Sequence, residues 1–155
     1  YSEIRENIVY DELKKFAAKD GAGLLIARAA GIRVMICTGR ECEAVRRRAA
    51  DLKITDVYQN VGRKAEFLRD FFAQNGYSKE EIAYCGDDVN DLAAMRLCGF
   101  VACPADATDP ILARADYICT RRGGDGAVRE AVQKILEMDG RWKEAVQAVF
   151  GVEID

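Results

Sequence analysis

Residues 82–95 read IAYCGDDVNDLAAM, and this stretch decides how the chain folds. The apolar run IAYC is typical of a buried strand, and the residues that follow the glycine begin a helical pattern. Three aspartates, Asp87, Asp88 and Asp91, fall within five residues, and no cation follows them until Arg96. The stretch therefore predicts a strand, a turn and a helix, with negative charge concentrated at the turn.

Apolar runs of the same kind recur along the chain as VMIC, FVAC and YIC, and amphipathic stretches separate them. This alternation indicates βα units, so we expect one α/β domain over residues 1–155 with a Rossmann-like, doubly wound parallel sheet. The first sixteen residues differ and predict a β-hairpin that stands apart from the sheet. Helices are predicted at 20–30, 41–51, 64–75, 89–97, 109–114 and 126–138.

The composition excludes several classes of protein. The 155 residues are half hydrophobic and about a third charged, which is typical of a globular protein and not of a membrane-spanning or disordered one. The formal net charge of -3 gives no global attraction for nucleic acid. We therefore expect neither a nucleic-acid nor a membrane partner, and any anion-binding site must come from the local placement of cations.

Six cysteines occur without a CxxC motif, and no signal peptide is visible, so we expect a reducing, cytoplasmic location. Cys37, Cys85, Cys103 and Cys119 close apolar runs, where each is expected to be a small buried hydrophobic residue and not a zinc ligand. The chain has no histidine. Catalysis would therefore use carboxylates, lysine, threonine or a metal ion.

Polar residues follow two of the predicted strands. Thr38, Gly39 and Arg40 come after VMIC, and the aspartates come after IAYC. Because ligands of doubly wound folds collect at the carboxyl ends of the strands, both segments are expected on one rim of the sheet. They can therefore share a site.

The aspartate cluster has two interpretations. Asp88 can cap a helix with Asp91 three residues later, which satisfies free backbone N–H groups. Capping accounts for one or two of the carboxylates, but three close negative charges repel unless a cation neutralises them. Oxygen ligands suit a hard ion, so we favour a Mg²⁺ site that includes Asp87.

The other rim residues are equally open to two interpretations. The Thr38 turn can be an ordinary strand-to-helix connection, or its hydroxyl and amides can seat a phosphate that Arg40 also contacts. Lys64 falls where a helix begins, an end at which cations are disfavoured, so it either points into water or faces an anion. Three arginines at 46–48 spread around their helix and are expected to be mostly solvated.

The motifs in this order resemble the haloacid dehalogenase-like phosphatases. The segments that carry the resemblance are KDGAGLLIARAAGIRVMICTGR, EAVRRRAADLKITDVYQNVGRKAEFL, AYCGDDVNDL, CPADAT, RRGGDGAVREAV and GRW. They are similar to the cap-less sugar-acid branch, which includes 3-deoxy-D-manno-octulosonate 8-phosphate phosphatases acting in lipopolysaccharide precursor synthesis. The resemblance runs from about residue 12 to residue 142.

The resemblance implies roles for particular residues. Thr38 and Gly39 would bind the transferring phosphoryl group and Lys64 would neutralise it. Asp87 would ligate Mg²⁺, and Asp88 and Asp91 would support the metal site. The remaining matches are to substrate-binding arginines at Arg40 and Arg48, to the Asp-Gly pair at Asp20 and Gly21, and to a glycine-rich segment at residues 123–126, where Asp125 can also be a plain helix cap.

The resemblance also implies phosphoryl transfer to an aspartate of an Asp-x-Asp-Gly motif at the end of the first strand, followed by hydrolysis. No Asp-x-Asp occurs in these 155 residues, and the sequence begins at Tyr1 in what corresponds to the hairpin. We therefore expect that strand and its nucleophile to lie outside them. Without it the sheet lacks a central member, and the edges of its neighbours are uncovered.

Two alternatives remain open. One keeps the chemistry but changes the substrate to an acylneuraminate or deaminoneuraminate 9-phosphate. The other is a non-catalytic scaffold that has lost the nucleophile.

The resemblance further implies a homotetramer.

Overall fold

Strands and helices alternate along the chain, as the sequence predicts. The structure is a computed structural model that describes residues 2–3, 11–12 and 16–155. Its strands are β1 (Ser2–Glu3), β2 (Asp11–Glu12), β3 (Met35–Cys37), β4 (Asp56–Tyr58), β5 (Ala83–Cys85), β6 (Phe100–Cys103) and β7 (Tyr117–Ile118). Its helices are α1 (Ala18–Ala29), α2 (Glu43–Asp51), α3 (Lys64–Asn75), α4 (Leu92–Met95), α5 (Asp109–Arg114), α6 (Ala127–Met138) and α7 (Trp142–Phe150).

The predicted helices are found with small differences at their ends. The stretches 64–75 and 109–114 match α3 and α5, whereas α1 and α2 each begin two residues from the predicted start. The stretch 89–97 is shorter and mixed, because a 3₁₀ turn at Val89–Asp91 precedes α4.

Helix α7 is absent from the sequence predictions. Trp142, Ala145 and Val146 are buried on one side of it, with Val149 partly buried against the same cluster. This spacing of three, four and seven residues is the helical signal that was available. The cluster joins α7 to α1 and α6 through Ile26 and Leu136.

The strands of the described residues form three separate sheets. β1 and β2 pair antiparallel, as the predicted hairpin requires, although residues 4–10 between them lie outside the described part of the chain. β3 pairs parallel with β4, while β5, β6 and β7 form a parallel sheet in that order. The predicted single parallel sheet is thus present as two parallel pieces, with β3 and β5 each paired on one side.

Helices cover both faces of the β5–β6–β7 sheet. Val101 and Cys103 of β6 pack with Met95 and Ile111 of α4 and α5. Ala102, which points the opposite way, packs with Ala131 of α6. This alternation in β6 gives the α/β architecture expected from the sequence. Within the described ranges, no helix is long and apolar enough to cross a membrane.

The cysteine predictions are confirmed at two strand ends and wrong at one. Cys103 and Cys119 are buried, and Cys37 is half-buried. Cys85, at the end of β5, is exposed. Among the described residues, β5 pairs with β6 alone, so its other edge is not covered by a strand.

Asp20 of α1 caps the beginning of α6. Its carboxylate accepts hydrogen bonds from the backbone N–H groups of Gly126 at 3.2 Å and Arg129 at 3.0 Å. Gly126 is the N-cap residue, with φ at 104°, and has no side chain to serve this purpose. The alternative of Asp125 as a plain helix cap is therefore wrong, because the cap comes from a residue more than a hundred positions away.

We predict that Asp20→Ala lowers the free energy of unfolding by about 1–2 kcal/mol, because two N–H groups at the start of α6 lose their acceptor. Chemical denaturation at neutral pH measures the effect. The control is Asp125→Ala, which removes an exposed carboxylate from the same turn. Equal losses for the two variants would contradict the capping role of Asp20.

Candidate active site

The Thr38 turn lies directly after β3. The backbone N–H of Thr38 donates to the carbonyl of Tyr58 at the end of β4, at 3.0 Å, and the Thr38 carbonyl accepts from Val61, also at 3.0 Å. The Thr38 hydroxyl accepts from the N–H of Arg40 at 3.3 Å. These bonds fix the turn against the segment that leads into α3, and the half-buried hydroxyl keeps its proton to donate.

Asp91 joins the two halves of the rim. Its side chain is 5% exposed, and its Oδ1 accepts from Lys64 Nζ at 2.9 Å and from the Tyr84 hydroxyl at 2.5 Å. Its Oδ2 accepts from the backbone N–H groups of Asp87 and Asp88, at 3.1 and 3.2 Å. Lys64 at the start of α3 is thus held beside the loop that follows β5.

Gly86 is required for this arrangement. A Cβ at this position would lie 2.6 Å from Asp91 Cγ and 2.8 Å from a ring carbon of Tyr84. Neither neighbour can move without breaking its hydrogen bond. The glycine before the aspartates therefore allows the buried carboxylate to approach the backbone closely.

Burial alone would raise the pKa of Asp91, but hydrogen bonds from Tyr84, Lys64 and the Asp88 amide outweigh it and lower that pKa. Asp87 shows the opposite shift. Burial and the negative charges of Asp91 and Asp88 raise the pKa of Asp87, and the nearby charge of Lys64 only partly offsets them. The ionised form of Asp87 is thus the one that a bound cation would stabilise.

The three aspartates are not equivalent. Asp88 is the N-cap of the 3₁₀ turn and accepts from the N–H of Val89 at 2.7 Å, so the capping interpretation holds for this residue. The Asp91 carboxylate already accepts hydrogen bonds from Lys64 and from the other donors named above. Asp87 is exposed, and its backbone carbonyl is anchored by the N–H of Thr108 at 2.9 Å.

No group of three or more acidic or cysteine side chains among the described residues could hold a metal ion by itself. Asp87 fits a single carboxylate ligand, with Asp88 and Asp91 shaping the loop around it. A metal ion at this position would need further oxygen ligands from phosphate, water or another segment.

The predicted arginines occupy different places. Arg46 and Arg47 are exposed and pair with Glu43. Arg48 is half-buried, and its guanidinium lies where a side chain on Gly21 of α1 would be. Arg40 is exposed on the rim, next to Thr38. The substrate-binding roles of Arg40 and Arg48 remain predictions.

Tyr84 and Thr108 are site residues that sequence reasoning missed. Tyr84 lies within the apolar run IAYC, where a tyrosine is expected to be a core residue, and nothing local indicates that its hydroxyl reaches Asp91. Thr108 ends the CPADAT segment, and both its N–H and its hydroxyl donate to the Asp87 carbonyl. Both contacts join residues of different elements, which only the fold reveals.

We predict that Tyr84→Phe lowers the free energy of unfolding by about 2 kcal/mol at pH 7, because the buried Asp91 carboxylate loses a donor. The lowered pKa of Asp91 stabilises the fold above its unfolded-state pKa, and this contribution is lost as the pH falls through the folded-state pKa. The loss in the free energy of unfolding caused by Tyr84→Phe should therefore become smaller as the pH falls. Denaturation at several pH values measures it.

Tyr58→Phe is the matched control, because it removes a hydroxyl from Asp56, a carboxylate outside the loop that Arg33 also binds. Its loss should stay below about 1 kcal/mol. A Tyr84→Phe variant as stable as the parent at every pH would show that this hydroxyl does not hold Asp91.

The comparison with protein families gives one match over more than half of the chain. A profile of the haloacid dehalogenase-like hydrolases matches residues 51–131, which include Lys64 and the aspartate loop. The chain is also 38% identical over 135 residues to the 3-deoxy-D-manno-octulosonate 8-phosphate phosphatase of Escherichia coli K12. That match covers 87% of this chain and 72% of the relative.

Solved structures of this family have the same fold. One is the phosphatase of that name from Moraxella catarrhalis, in complex with magnesium, phosphate and KDO, with a TM-score of 0.86 and 33% identity over 97% of this chain and 84% of that one. Another is the cobalt-bound enzyme of Haemophilus influenzae, with a TM-score of 0.81 and 33% identity over 91% and 80%. The chain therefore belongs to the haloacid dehalogenase-like hydrolases, as one of the phosphoric monoester hydrolases of that family.

Proposed function

We propose that the protein hydrolyses 3-deoxy-D-manno-octulosonate 8-phosphate to the sugar acid and inorganic phosphate, with Mg²⁺ as cofactor and an aspartyl-phosphate intermediate. The observation that carries the proposal is the buried ion pair of Lys64 with Asp91, which fixes a cation beside the exposed carboxylate of Asp87. The similarity to phosphatases whose names specify this substrate supports the choice of substrate.

Lys64 and the Thr38 turn would bind the phosphoryl group. Lys64 Nζ can donate to a phosphoryl oxygen while it keeps its bond to Asp91, since an ammonium group has three donors. The Thr38 hydroxyl and the N–H groups of the turn can donate to other oxygens. These positioned donors would stabilise the charge that develops on the phosphoryl oxygens during transfer.

Mg²⁺ would be held by Asp87, and Asp88 and Asp91 would support the loop. Water, phosphate and a further carboxylate would complete the ligands of the ion. Relatives with magnesium or cobalt support a divalent ion at this position. When bound, such an ion supplies positive charge to the phosphoryl oxygens and neutralises the carboxylates around it.

The aspartyl-phosphate mechanism requires two aspartates in an Asp-x-Asp motif, which does not occur in these 155 residues. In this mechanism one carboxylate oxygen of the first aspartate attacks phosphorus, the bond from phosphorus to the O8 oxygen of the sugar acid breaks, and the second aspartate gives that oxygen its proton. The same second aspartate then removes a proton from water. The resulting attack on the acyl phosphate releases phosphate and restores the first aspartate.

Arg40 and Arg48 would recognise the carboxylate of the sugar acid, and a homotetramer in the cytoplasm would be the working form. The six unpaired cysteines favour a reducing compartment. Phe150, Val152 and Ile154 are large exposed apolar residues near the C-terminal end, where a neighbouring subunit can cover them.

We predict that Mg²⁺ raises the melting temperature and that chelation reverses the rise, because an ion that binds only the folded state stabilises it. The gain is about 2.7 kcal/mol at a free concentration of one hundred times Kd. Asp87→Asn should abolish the response, whereas Asp70→Asn, an exposed change on α3, should leave it intact. A melting temperature that neither Mg²⁺ nor the chelator changes would contradict the metal site.

The function is tested with a variant that carries an apolar strand ending in Asp-Val-Asp-Gly ahead of Tyr1. With Mg²⁺ it should release phosphate from 3-deoxy-D-manno-octulosonate 8-phosphate, and the same extension with Asn-Val-Asp-Gly should not. In the active form, Lys64→Met should lower kcat/KM by about 100-fold or more, whereas Lys143→Met on α7 should not.

Two outcomes would overturn the proposal. Faster release from a nonulosonate 9-phosphate would assign the other substrate. A folded extended variant that releases no phosphate, and a chain that binds neither Mg²⁺ nor inorganic phosphate in calorimetry, would favour the non-catalytic scaffold.

A further inference from the structure

Thr108, the residue before α5, binds the backbone of the aspartate loop. Its N–H donates to the carbonyl of Asp87 at 2.9 Å, and its hydroxyl donates to the same carbonyl at 3.3 Å. A carbonyl oxygen has two lone pairs and can accept both bonds. The exposed carboxylate of the loop is therefore attached to a residue 21 positions further along the chain.

The peptide unit between Asp87 and Asp88 is held from both sides. Its carbonyl accepts the two bonds from Thr108, and its N–H donates to Asp91 Oδ2 at 3.2 Å. The N–H of Asp87 donates to the same oxygen at 3.1 Å. The backbone on either side of the Asp87 Cα is thus fixed, and the direction in which its side chain leaves the loop is fixed with it.

Helix capping does not account for the Thr108 hydroxyl. Thr108 is the N-cap residue of α5, and a threonine at that position commonly accepts a hydrogen bond from an N–H of the first turn. Its hydroxyl accepts none from α5, a helix that lies wholly within the described part of the chain. The hydroxyl is instead directed to Asp87, on a different element.

Thr108 is itself tied to the hydrophobic core. Its carbonyl accepts hydrogen bonds from the N–H groups of Ile111 and Leu112, at 2.9 and 3.0 Å. Ile111 is fully buried and packs in the cluster that contains Val101 of β6. The donor that fixes Asp87 is therefore anchored by a buried helix and not by an isolated loop.

The residues just before Thr108 are attached to the loop that follows β7. The N–H of Ala105 donates to the carbonyl of Arg121 at 2.8 Å, and the Asp106 carboxylate accepts from the N–H of Gly123, also at 2.8 Å. The segment that ends at Thr108 thus has contacts at both of its ends. A segment held in this way can position the group that it binds.

We propose that Thr108 is a positioning residue for the divalent cation that Asp87 binds. Thr108 does not contact the ion. It fixes the peptide unit beside the Asp87 side chain, so the carboxylate is oriented before the ion binds, which lowers the cost of binding. Loss of a group that orients a metal ligand typically costs about 10- to 100-fold in affinity. The inference rests on the proposed function, because Asp87 is the proposed ligand of Mg²⁺.

The test measures Mg²⁺ binding to the chain by isothermal titration calorimetry. Thr108→Val removes the hydroxyl but keeps the N–H, and it should raise the Kd for Mg²⁺ about 5-fold. Thr108→Pro also removes the N–H, at a φ of -67° that proline adopts, and it should raise the Kd by about 10-fold or more. Thr108→Ser keeps both donors and should bind Mg²⁺ as the parent does.

Three controls separate positioning from folding. Thr120→Val removes the hydroxyl of another exposed threonine, which donates to Glu130, and should leave the Kd for Mg²⁺ unchanged. The affinity of Thr108→Val for inorganic phosphate, measured without Mg²⁺, should equal that of the parent, because Lys64 and the Thr38 turn supply those donors. Its melting temperature without Mg²⁺ should also match the parent, since the lost hydroxyl caps no helix.

Parent values of the Kd for Mg²⁺ in both Thr108→Val and Thr108→Pro would overturn the proposal. Equal losses of affinity for Mg²⁺ and for phosphate, with a lower melting temperature, would overturn it as well, because Thr108 would then act only through the fold. A parent chain that binds no Mg²⁺ would remove the positioning role together with the metal site. Mg²⁺ affinity that follows Thr108, without phosphate release by the extended variant, would support the positioning role and remove the proposed function.

Discussion

The buried carboxylate of Asp91 is the contact on which the site depends. It receives hydrogen bonds from Lys64 on α3, from Tyr84 on β5 and from two amides of the following loop. A carboxylate with a side chain 5% exposed is costly to bury unless nearly all of its lone pairs are used, and here they are. The ion pair thus fixes Lys64 at the start of a helix, where a cation is otherwise disfavoured.

This arrangement divides the roles among the carboxylates of the GDDVND segment. Asp91 positions Lys64 and the loop, and Asp88 caps the 3₁₀ turn. Asp87 is left exposed at the rim, and its pKa is raised by partial desolvation of its carboxylate and by its acidic neighbours. The negative charges of these carboxylates are unfavourable by themselves. They become favourable when a cation and an anion are bound together beside them. A loop with three acidic residues is therefore physically suited to a site that processes phosphate.

Sequence patterns predicted the elements whose signals are local. The helical pattern at 64–75 predicted α3, and the residues after VMIC and IAYC were predicted to lie on one rim of the sheet, where Lys64 pairs with Asp91. The predictions failed where contacts join distant elements. Asp20 caps α6 across more than a hundred positions, and Tyr84 reaches Asp91 from within a strand that otherwise has the pattern of core. Helix α7 was missed although its spacing was available, and Cys85 was predicted to be buried although it is exposed at the end of β5.

Asp91 connects the fold to the proposed chemistry, because the carboxylate that holds the loop after β5 also holds Lys64. An NMR titration of the aspartate side-chain carboxyl carbons tests this most directly. The account predicts that the pKa of Asp91 lies below the ordinary value for aspartate, that the pKa of Asp87 lies above it, and that the pKa of Asp91 rises in Lys64→Met. An Asp91 pKa at or above the ordinary value, or one that Lys64→Met leaves unchanged, would contradict it.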